Sequence, residues 1–137
     1  QPAPGQAKYA QPIYIDTVAS LFPDVKIIMA HMAFGSWREA IDLATMKPNL
    51  YLDFSAWQSH WKTNPDYLYH PLRMAIDMLG PWRVLFGTDG PAMNPIVSPE
   101  EWVNAIRNHN SPSGITFTDK EIEIIMGKAA AKLYKIG

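Results

Sequence analysis

The sequence predicts an α/β fold with a parallel sheet of the (β/α)8-barrel type. Apolar segments rich in β-branched residues alternate with segments whose apolar residues recur at helical spacing. This alternation predicts βαβ crossovers, and near-continuous apolar strands predict a sheet covered on both faces. Length is the third observation, because 137 residues are about half of the roughly 250 that a complete barrel takes. We therefore interpret residues 1–137 as one partial barrel domain.

The composition is that of a globular protein without a charge bias. Hydrophobic residues make up 47%, charged residues 18%, and the formal net charge is -1. These values exclude wholesale disorder, no basic stripe predicts nucleic-acid binding, and no apolar run is long enough to predict a membrane span. The absence of cysteine excludes disulfides and thiolate metal sites and, with no signal-peptide pattern, fits a cytoplasmic protein. The first residue is Gln1 rather than Met, which fits a processed or truncated product.

The first third of the chain predicts two helices with a strand between them. Pro12 begins a helix that ends at Pro23-Asp24. Its predicted core-facing residues are Ile13, Val18, Leu21 and Phe22. The apolar run 25–30 predicts a buried strand that ends at His31. Ser36-Trp37-Arg38-Glu39 predicts a capping box that begins a helix ending near Lys47-Pro48.

The middle third predicts a second strand and a long helix. Residues 49–55 are the strand, and residues 56–63 predict an aromatic, irregular loop. Asn64-Pro65 predicts the cap and first position of a helix that ends at Gly80-Pro81.

The last third predicts a short strand and two helices. Residues 84–86 are the strand, which Gly90-Pro91 prevents from continuing. Capping boxes at Ser98 and Thr118 predict helices over about 99–109 and 119–134.

Asp89 stands directly after this buried strand and requires an explanation, because burying an unpaired charge is costly. A metal ion, a basic partner or an ordered hydrogen-bond network would each provide one. A helix N-cap or an ion pair with Arg83 is the purely structural alternative. His31 likewise ends a strand, and its structural alternative is a core histidine satisfied by the backbone.

Three motifs resemble the amidohydrolase-2 family of the metal-dependent amidohydrolase superfamily, which includes aminocarboxymuconate-semialdehyde decarboxylase. They are 22–31, 49–55 and 79–91, in the order in which the family has them. The resemblance covers nearly the whole chain. It implies the C-terminal half of a (β/α)8 TIM barrel, from the helix after the fifth strand through the eighth strand.

The resemblance implies roles for the residues at the strand ends. His31 ends the sixth strand, where the family places a metal-site histidine that polarises water or substrate. Asp89 ends the eighth strand, where the family places a metal-ligand carboxylate that can act as general base. The implied cofactor is a divalent metal, with zinc the family's common choice and manganese or iron also suited to such ligands. Ser55 and Trp57 follow the seventh strand as candidate substrate-binding residues, with an ordinary loop as the alternative.

The chain also departs from the family's pattern. The His-x-His pair of the first strand and the histidine of the fifth strand are absent, since both would precede residue 1. Met32-Ala33 stands where the family tends to have two glycines, and we expect these side chains to crowd the pocket floor. His60 and His70 flank the aromatic loop, where they are either lid residues or ordinary surface histidines.

Two functional hypotheses follow. In the first, the chain is the C-terminal part of a metal-dependent hydrolase or decarboxylase that acts on a small carboxylated, cyclic or acyl substrate through metal-activated water. The isolated chain is then expected to be inactive. In the second, the chain is a catalytically incomplete half-barrel that binds its N-terminal half or self-associates as a homo-oligomer, covering edge strands and apolar faces.

Overall fold

The computed structural model describes residues 6–137 and contains a parallel sheet in which the strand order is β1-β2-β3. The strands are β1 (Ile27–Met29), β2 (Leu50–Asp53) and β3 (Val84–Leu85). Ile27 pairs with Leu50, and Leu52 pairs with Val84. The predicted fold class is confirmed, although each strand is shorter than its apolar run suggested.

In the described chain one α-helix precedes β1, and α-helices follow each of the three strands. They are α1 (Ile13–Leu21), α2 (Trp37–Met46), α3 (Gln58–Thr63), α4 (Asp66–Leu79), α5 (Pro99–Arg107), α6 (Asp119–Glu123) and α7 (Ala129–Tyr134). A π-helical segment, Ile124–Lys128, joins α6 to α7. Within residues 6–137, no helix combines the length and the apolar character needed to cross a bilayer.

The sheet is covered on both faces, as the near-continuous apolar strands predicted. Side chains that alternate along the strands separate into two clusters, because successive residues of a strand point to opposite faces. One face joins the main core with α2, α4 and α5; it contains Met29, Leu50, Leu52 and Val84. On the other face Leu85 packs with Ile124 and Ala129 of the C-terminal helical segment.

The three predicted capping boxes have different outcomes. Thr118 and Glu121 form a complete box at α6, and Ser98 Oγ accepts a hydrogen bond from the Glu101 amide at α5. The prediction of a capping box at Ser36 is wrong, because the Ser36 side chain makes no capping hydrogen bond. Its hydroxyl donates to Gln11 Oε1 over 3.0 Å instead, and its backbone lacks the extended conformation of an N-cap.

The predicted core face of α1 is also wrong. Its residues are 42% to 68% exposed: Ile13, Val18, Leu21 and Phe22. The helix contacts the core through Ala19 and Ile15. Its C-terminal end is held by Asn49, whose side-chain amide donates to the carbonyls of Ala19, Phe22 and Val25 at 3.1 Å each. These bonds orient α1 independently of its apolar stripe.

The aromatic segment after β2 is helical rather than irregular. α3 has only six residues, too few to be stable by itself. Trp61 anchors it, because its ring meets Trp102 edge-on at 6.1 Å and its Nε1 donates to the Tyr69 hydroxyl. The sequence pattern therefore did not predict this helix, because tertiary packing stabilises it.

A paired carboxylate joins α6 to α4. Arg73 donates to both Glu121 oxygens, over 2.8 and 2.7 Å, and the Thr118 amide donates to the same carboxylate over 2.8 Å. The Arg73 guanidinium and these hydrogen bonds lower the pKa of Glu121 from 4.5 to about 2. The stabilising effect is therefore complete above pH 4.5 and is lost as the pH falls toward 2.

We expect Glu121→Gln to lower the free energy of unfolding by about 1–2 kcal/mol at neutral pH, because a bidentate ionic hydrogen bond is lost. The difference from wild type should shrink as the pH falls from 4.5 toward 2. Urea unfolding at several pH values measures both effects. The matched control is Glu123→Gln, since Glu123 and Lys128 form an exposed pair that contributes little. A pH-independent difference would contradict the prediction.

Candidate functional site

Polar residues collect where the three parallel strands end. The carboxyl ends of parallel strands lie at one edge of a sheet, which is the active-site edge in barrels. β1 leads into His31, β2 ends at Asp53 and leads into Ser55, and β3 is followed by Thr88 and Asp89. The site is thus assembled from segments that are far apart in the sequence.

His31 lies in a left-handed turn directly after β1. His31, Met32 and Ala33 have φ values of 59°, 47° and 56°. Each residue of this kind costs about 1–2 kcal/mol relative to a right-handed conformation, unless it is glycine. The glycines that the resemblance led us to expect at Met32 and Ala33 would remove this cost. The Met32 side chain is fully buried in the core, and it is Ala33 that lines the groove described below.

Residues at the end of β2 hold His31 in this conformation. The His31 amide donates to Asp53 Oδ1 over 3.1 Å, and its Nδ1 is 2.9 Å from Ser55 Oγ in a hydrogen bond. The Ser55 amide and hydroxyl also donate to Asp53 Oδ1. Strained backbone persists where the surrounding structure over-determines it, and this network does so for His31.

Trp57 completes the support of His31 from the side of α3. Its Nε1 donates to the His31 carbonyl over 2.7 Å, and the indole is 3% exposed. Phe34 places its ring 5.0 Å from the His31 ring, and His60 stacks on Phe34 at 5.7 Å. His60 therefore belongs to this aromatic cluster. His70 lies in α4 instead, where it packs edge-on against Trp37.

Asp89 lies at the same edge of the sheet, half-buried, with a left-handed φ of 51°. Within residues 6–137 its carboxylate takes part in no hydrogen bond and no ion pair. Arg83, its structural alternative as a partner, donates to the carbonyls of Ala44, Lys47 and Leu50. The structure thus brings His31, Ser55 and Trp57 into direct contact, whereas Asp89 joins that network through no hydrogen bond.

Buried contacts fix the segment before Asp89. Trp102 Nε1 donates to the Gly87 carbonyl over 2.9 Å, and Gln58 Nε2 donates to the Thr88 carbonyl over 2.6 Å. Gly87 also permits a close approach of β3 to Ser55, because a Cβ at this position would lie 2.9 Å from Ser55 Cβ. Gln58 Oε1 is buried without a hydrogen-bond partner among the described residues, although such atoms are usually satisfied.

A groove of about 580 Å³ lies along β1 beside His31. It is lined by residues of the N-terminal segment, of β1 and of the left-handed turn, among them Tyr9, Tyr14, Ile28, His31 and Phe34. A volume of this size accommodates a small organic molecule. Its walls are mainly apolar, with His31 as a polar group.

The donor types at the site suit a divalent metal, but their number does not complete a metal centre. His31 offers an imidazole nitrogen and Asp89 offers carboxylate oxygens, which are ordinary ligands of zinc, manganese and iron. In the described part of the chain, however, no three His, Cys, Asp or Glu side chains are close enough to hold an ion together. A catalytic zinc usually takes three protein ligands, so a zinc centre at His31 and Asp89 would need at least one ligand from outside the described residues.

Two residues of the site were not predicted. Asp53 carries the network around His31, and Gln58 holds the backbone next to Asp89. Asp53 had a detectable signal, because a carboxylate ends an otherwise apolar strand. Gln58 had none, since it lies in a segment whose helical structure depends on tertiary contacts.

The chain is similar in sequence to one protein family, described as Amidohydrolase, whose model matches residues 3–136. The comparison with curated proteins found no match.

Solved structures show the same fold. An amidohydrolase from Burkholderia multivorans, also solved with bound zinc, aligns with a TM-score of 0.73 and 18% identity, over 93% of this chain and 50% of its own. An uncharacterised TIM-barrel protein from Bordetella bronchiseptica aligns with a TM-score of 0.71 and 25% identity, over 98% of this chain and 43% of its own. 5-carboxyvanillate decarboxylase from Sphingomonas paucimobilis aligns with a TM-score of 0.57 and 22% identity, over 91% of this chain and 38% of its own. The chain therefore spans half or less of the length of these proteins.

Proposed function

Because this chain belongs to the Amidohydrolase family, we propose that it supplies the C-terminal strands of a metal-dependent hydrolase or decarboxylase. The proposed substrate is a small carboxylated, cyclic or acyl molecule. The observation that carries the proposal is the placement of His31. Its Nδ1 is anchored to Ser55 at the carboxyl edge of the sheet, and the residue also lines the groove that lies along β1.

The proposed roles follow from the chemistry of each side chain. His31 exchanges a proton or a hydrogen bond with the substrate through its other ring nitrogen. Asp89 contributes a carboxylate that serves as metal ligand and proton acceptor. Ser55 and Trp57 are buried and do not line the groove; they are proposed to shape the substrate-binding wall from behind, through their hydrogen bonds to His31. A divalent ion, zinc first and manganese or iron as alternatives, supplies a water of lowered pKa when bound.

The test compares this chain alone with a protein in which it is joined to the remaining strands of the barrel. Both are assayed for ring opening of lactones and cyclic amides and for release of carbon dioxide from aromatic carboxylates, and metal content is measured. We expect turnover and bound metal in the complete barrel alone. A metal-loaded complete barrel that converts none of these compound classes would contradict the proposal.

A second proposal concerns association rather than catalysis. β1 pairs with a strand on one side only within the described sheet, and the apolar stripe of α1 is exposed. Edges and patches of this kind are usually covered in native proteins. The proposed partner is the remaining half of the barrel, with a second copy of this chain as the alternative.

Light scattering after size-exclusion chromatography distinguishes these partners. A monomer that binds a separately produced N-terminal half-barrel supports the first, whereas a metal-free dimer supports the second. Leu21→Lys on the exposed stripe should weaken either association, and Lys120→Glu, an exposed position in α6, is the control. A monomer that does not bind the other half would contradict the proposal.

A further inference from the structure

The hydrogen bonds around Asp53 bear on which nitrogen of His31 carries the proton. Asp53 Oδ1 faces three donors: the His31 amide, the Ser55 amide and the Ser55 hydroxyl. An ionised carboxylate only accepts hydrogen bonds, so the single hydroxyl proton of Ser55 points to Asp53. The lone pairs of Ser55 Oγ are then the groups that face the His31 ring.

The consequence for His31 follows from the same proton count. Its Nδ1 is 2.9 Å from Ser55 Oγ, whose proton is already donated to Asp53. A hydrogen bond between these atoms therefore requires that Nδ1 carries a proton and donates it. In a neutral imidazole one nitrogen is protonated and the other is an acceptor, which leaves Nε2 with a free lone pair.

We propose that Asp53, acting through the Ser55 hydroxyl, is a positioning residue that keeps neutral His31 in the Nδ1-protonated form and presents Nε2 as the reactive nitrogen. The inference deepens the proposed function and rests on it for the use made of Nε2. Asp53 touches no reacting atom in this scheme. It acts on the ring through one hydroxyl and on the backbone through the His31 amide.

The backbone contacts make this arrangement specific. The His31 amide bonds to Asp53 and its carbonyl accepts from Trp57 Nε1, so the left-handed turn and the ring are fixed by the same end of β2. A 180° flip of the His31 ring would place Cδ2 where Nδ1 now lies and would break the bond to Ser55. Hydrogen-bond partners of this kind fix the tautomer of metal-ligating histidines, where their loss typically lowers metal affinity or activity about 10–100-fold.

The test is long-range proton–nitrogen NMR of the ¹⁵N-labelled, chelator-treated chain, at a pH where His31 is neutral. The ring nitrogen shifts report the tautomer directly. Wild-type His31 is expected to show protonated Nδ1 and unprotonated Nε2. Ser55→Ala should move the population toward the Nε2-protonated form, and Ser55→Thr should restore the original signals. Ser59→Ala, on the exposed side of α3, is the matched control without effect.

Asp53→Ala tests the positioning residue itself. It frees the Ser55 hydroxyl to donate to Nδ1, so the protonated Nδ1 signal should fall. Amide spectra establish whether the variant is folded. If it is not, the spectra of Ser55→Ala and Ser55→Thr, compared with that of the wild type, test the proposal instead. A wild-type ring protonated at Nε2, or an Asp53→Ala spectrum unchanged from wild type, would overturn the proposal. Since the readout needs no turnover, its failure is distinct from failure of the proposed enzymatic function.

Discussion

Replacing His31 with alanine in the complete barrel is expected to lower kcat by about 100-fold to 10,000-fold, the range for loss of a positioned acid–base group. The residue directly follows β1 at the carboxyl edge of the sheet and lines the groove along that strand, and its ring is anchored through Ser55. Steady-state kinetics on the best substrate of the compound panel measures the effect. Folding should persist, because the side chain is 31% exposed and belongs to no core cluster.

Asp89→Ala tests the other strand end in the same assay. We expect a comparable loss of kcat together with a lower metal content, because the carboxylate has no competing partner among residues 6–137. His70→Ala and Asp24→Ala are the matched controls, since both residues are exposed and neither lies at the strand ends. Normal turnover in both the His31 and the Asp89 variant would disprove the assignment of the site. If Asp89→Ala loses turnover but keeps its metal, Asp89 acts as a catalytic residue and not as a metal ligand.

The largest expected effect on stability is that of Trp102→Ala, about 3–5 kcal/mol lost from the free energy of unfolding. The indole is fully buried, meets Trp61 at 6.1 Å and Phe54 at 6.5 Å, and donates to the Gly87 carbonyl. Truncation leaves a cavity and an unpaired carbonyl next to the site. Urea unfolding of the 137-residue chain measures the loss.

Trp82→Ala is the control for this prediction, because Trp82 is 41% exposed and its ring lies 4.7 Å from the Lys132 ammonium. A loss of about 1 kcal/mol or less is expected there. If Trp102→Ala does not fold, Trp102→Phe keeps most of the packing and removes the bond to Gly87, at a cost of about 1–2 kcal/mol. Equal effects of Trp102→Ala and Trp82→Ala would contradict the core role of Trp102.

Local patterns predicted most of the fold. Proline and glycine at the ends of α4 and the capping residues of α5 and α6 are short-range signals, and the helices begin and end close to them. The apolar runs that predicted strands also hold, since the sheet is parallel and covered on both faces. Each of these features depends on residues within a few positions of one another.

The failures have a common physical cause. The face that α1 presents to the core depends on Asn49, which lies 24 to 30 residues away from its three partners. The hydroxyl of Ser36 donates a hydrogen bond to Gln11, which lies 25 residues away, instead of capping its own helix. A local pattern states what a residue is able to do, whereas distant partners decide which option is realised.

The same division applies to the site. The sequence alone determined a parallel α/β architecture and placed His31 and Asp89 directly after strands, because strand periodicity and chain order are local properties. Only the tertiary structure decided that His31 adopts a left-handed turn, that Asp53 and Ser55 hold its ring, and that Asp89 forms no hydrogen bond to this network. Those contacts join residues 22 to 24 positions apart, and their geometry arises only when the ends of β1 and β2 are packed side by side.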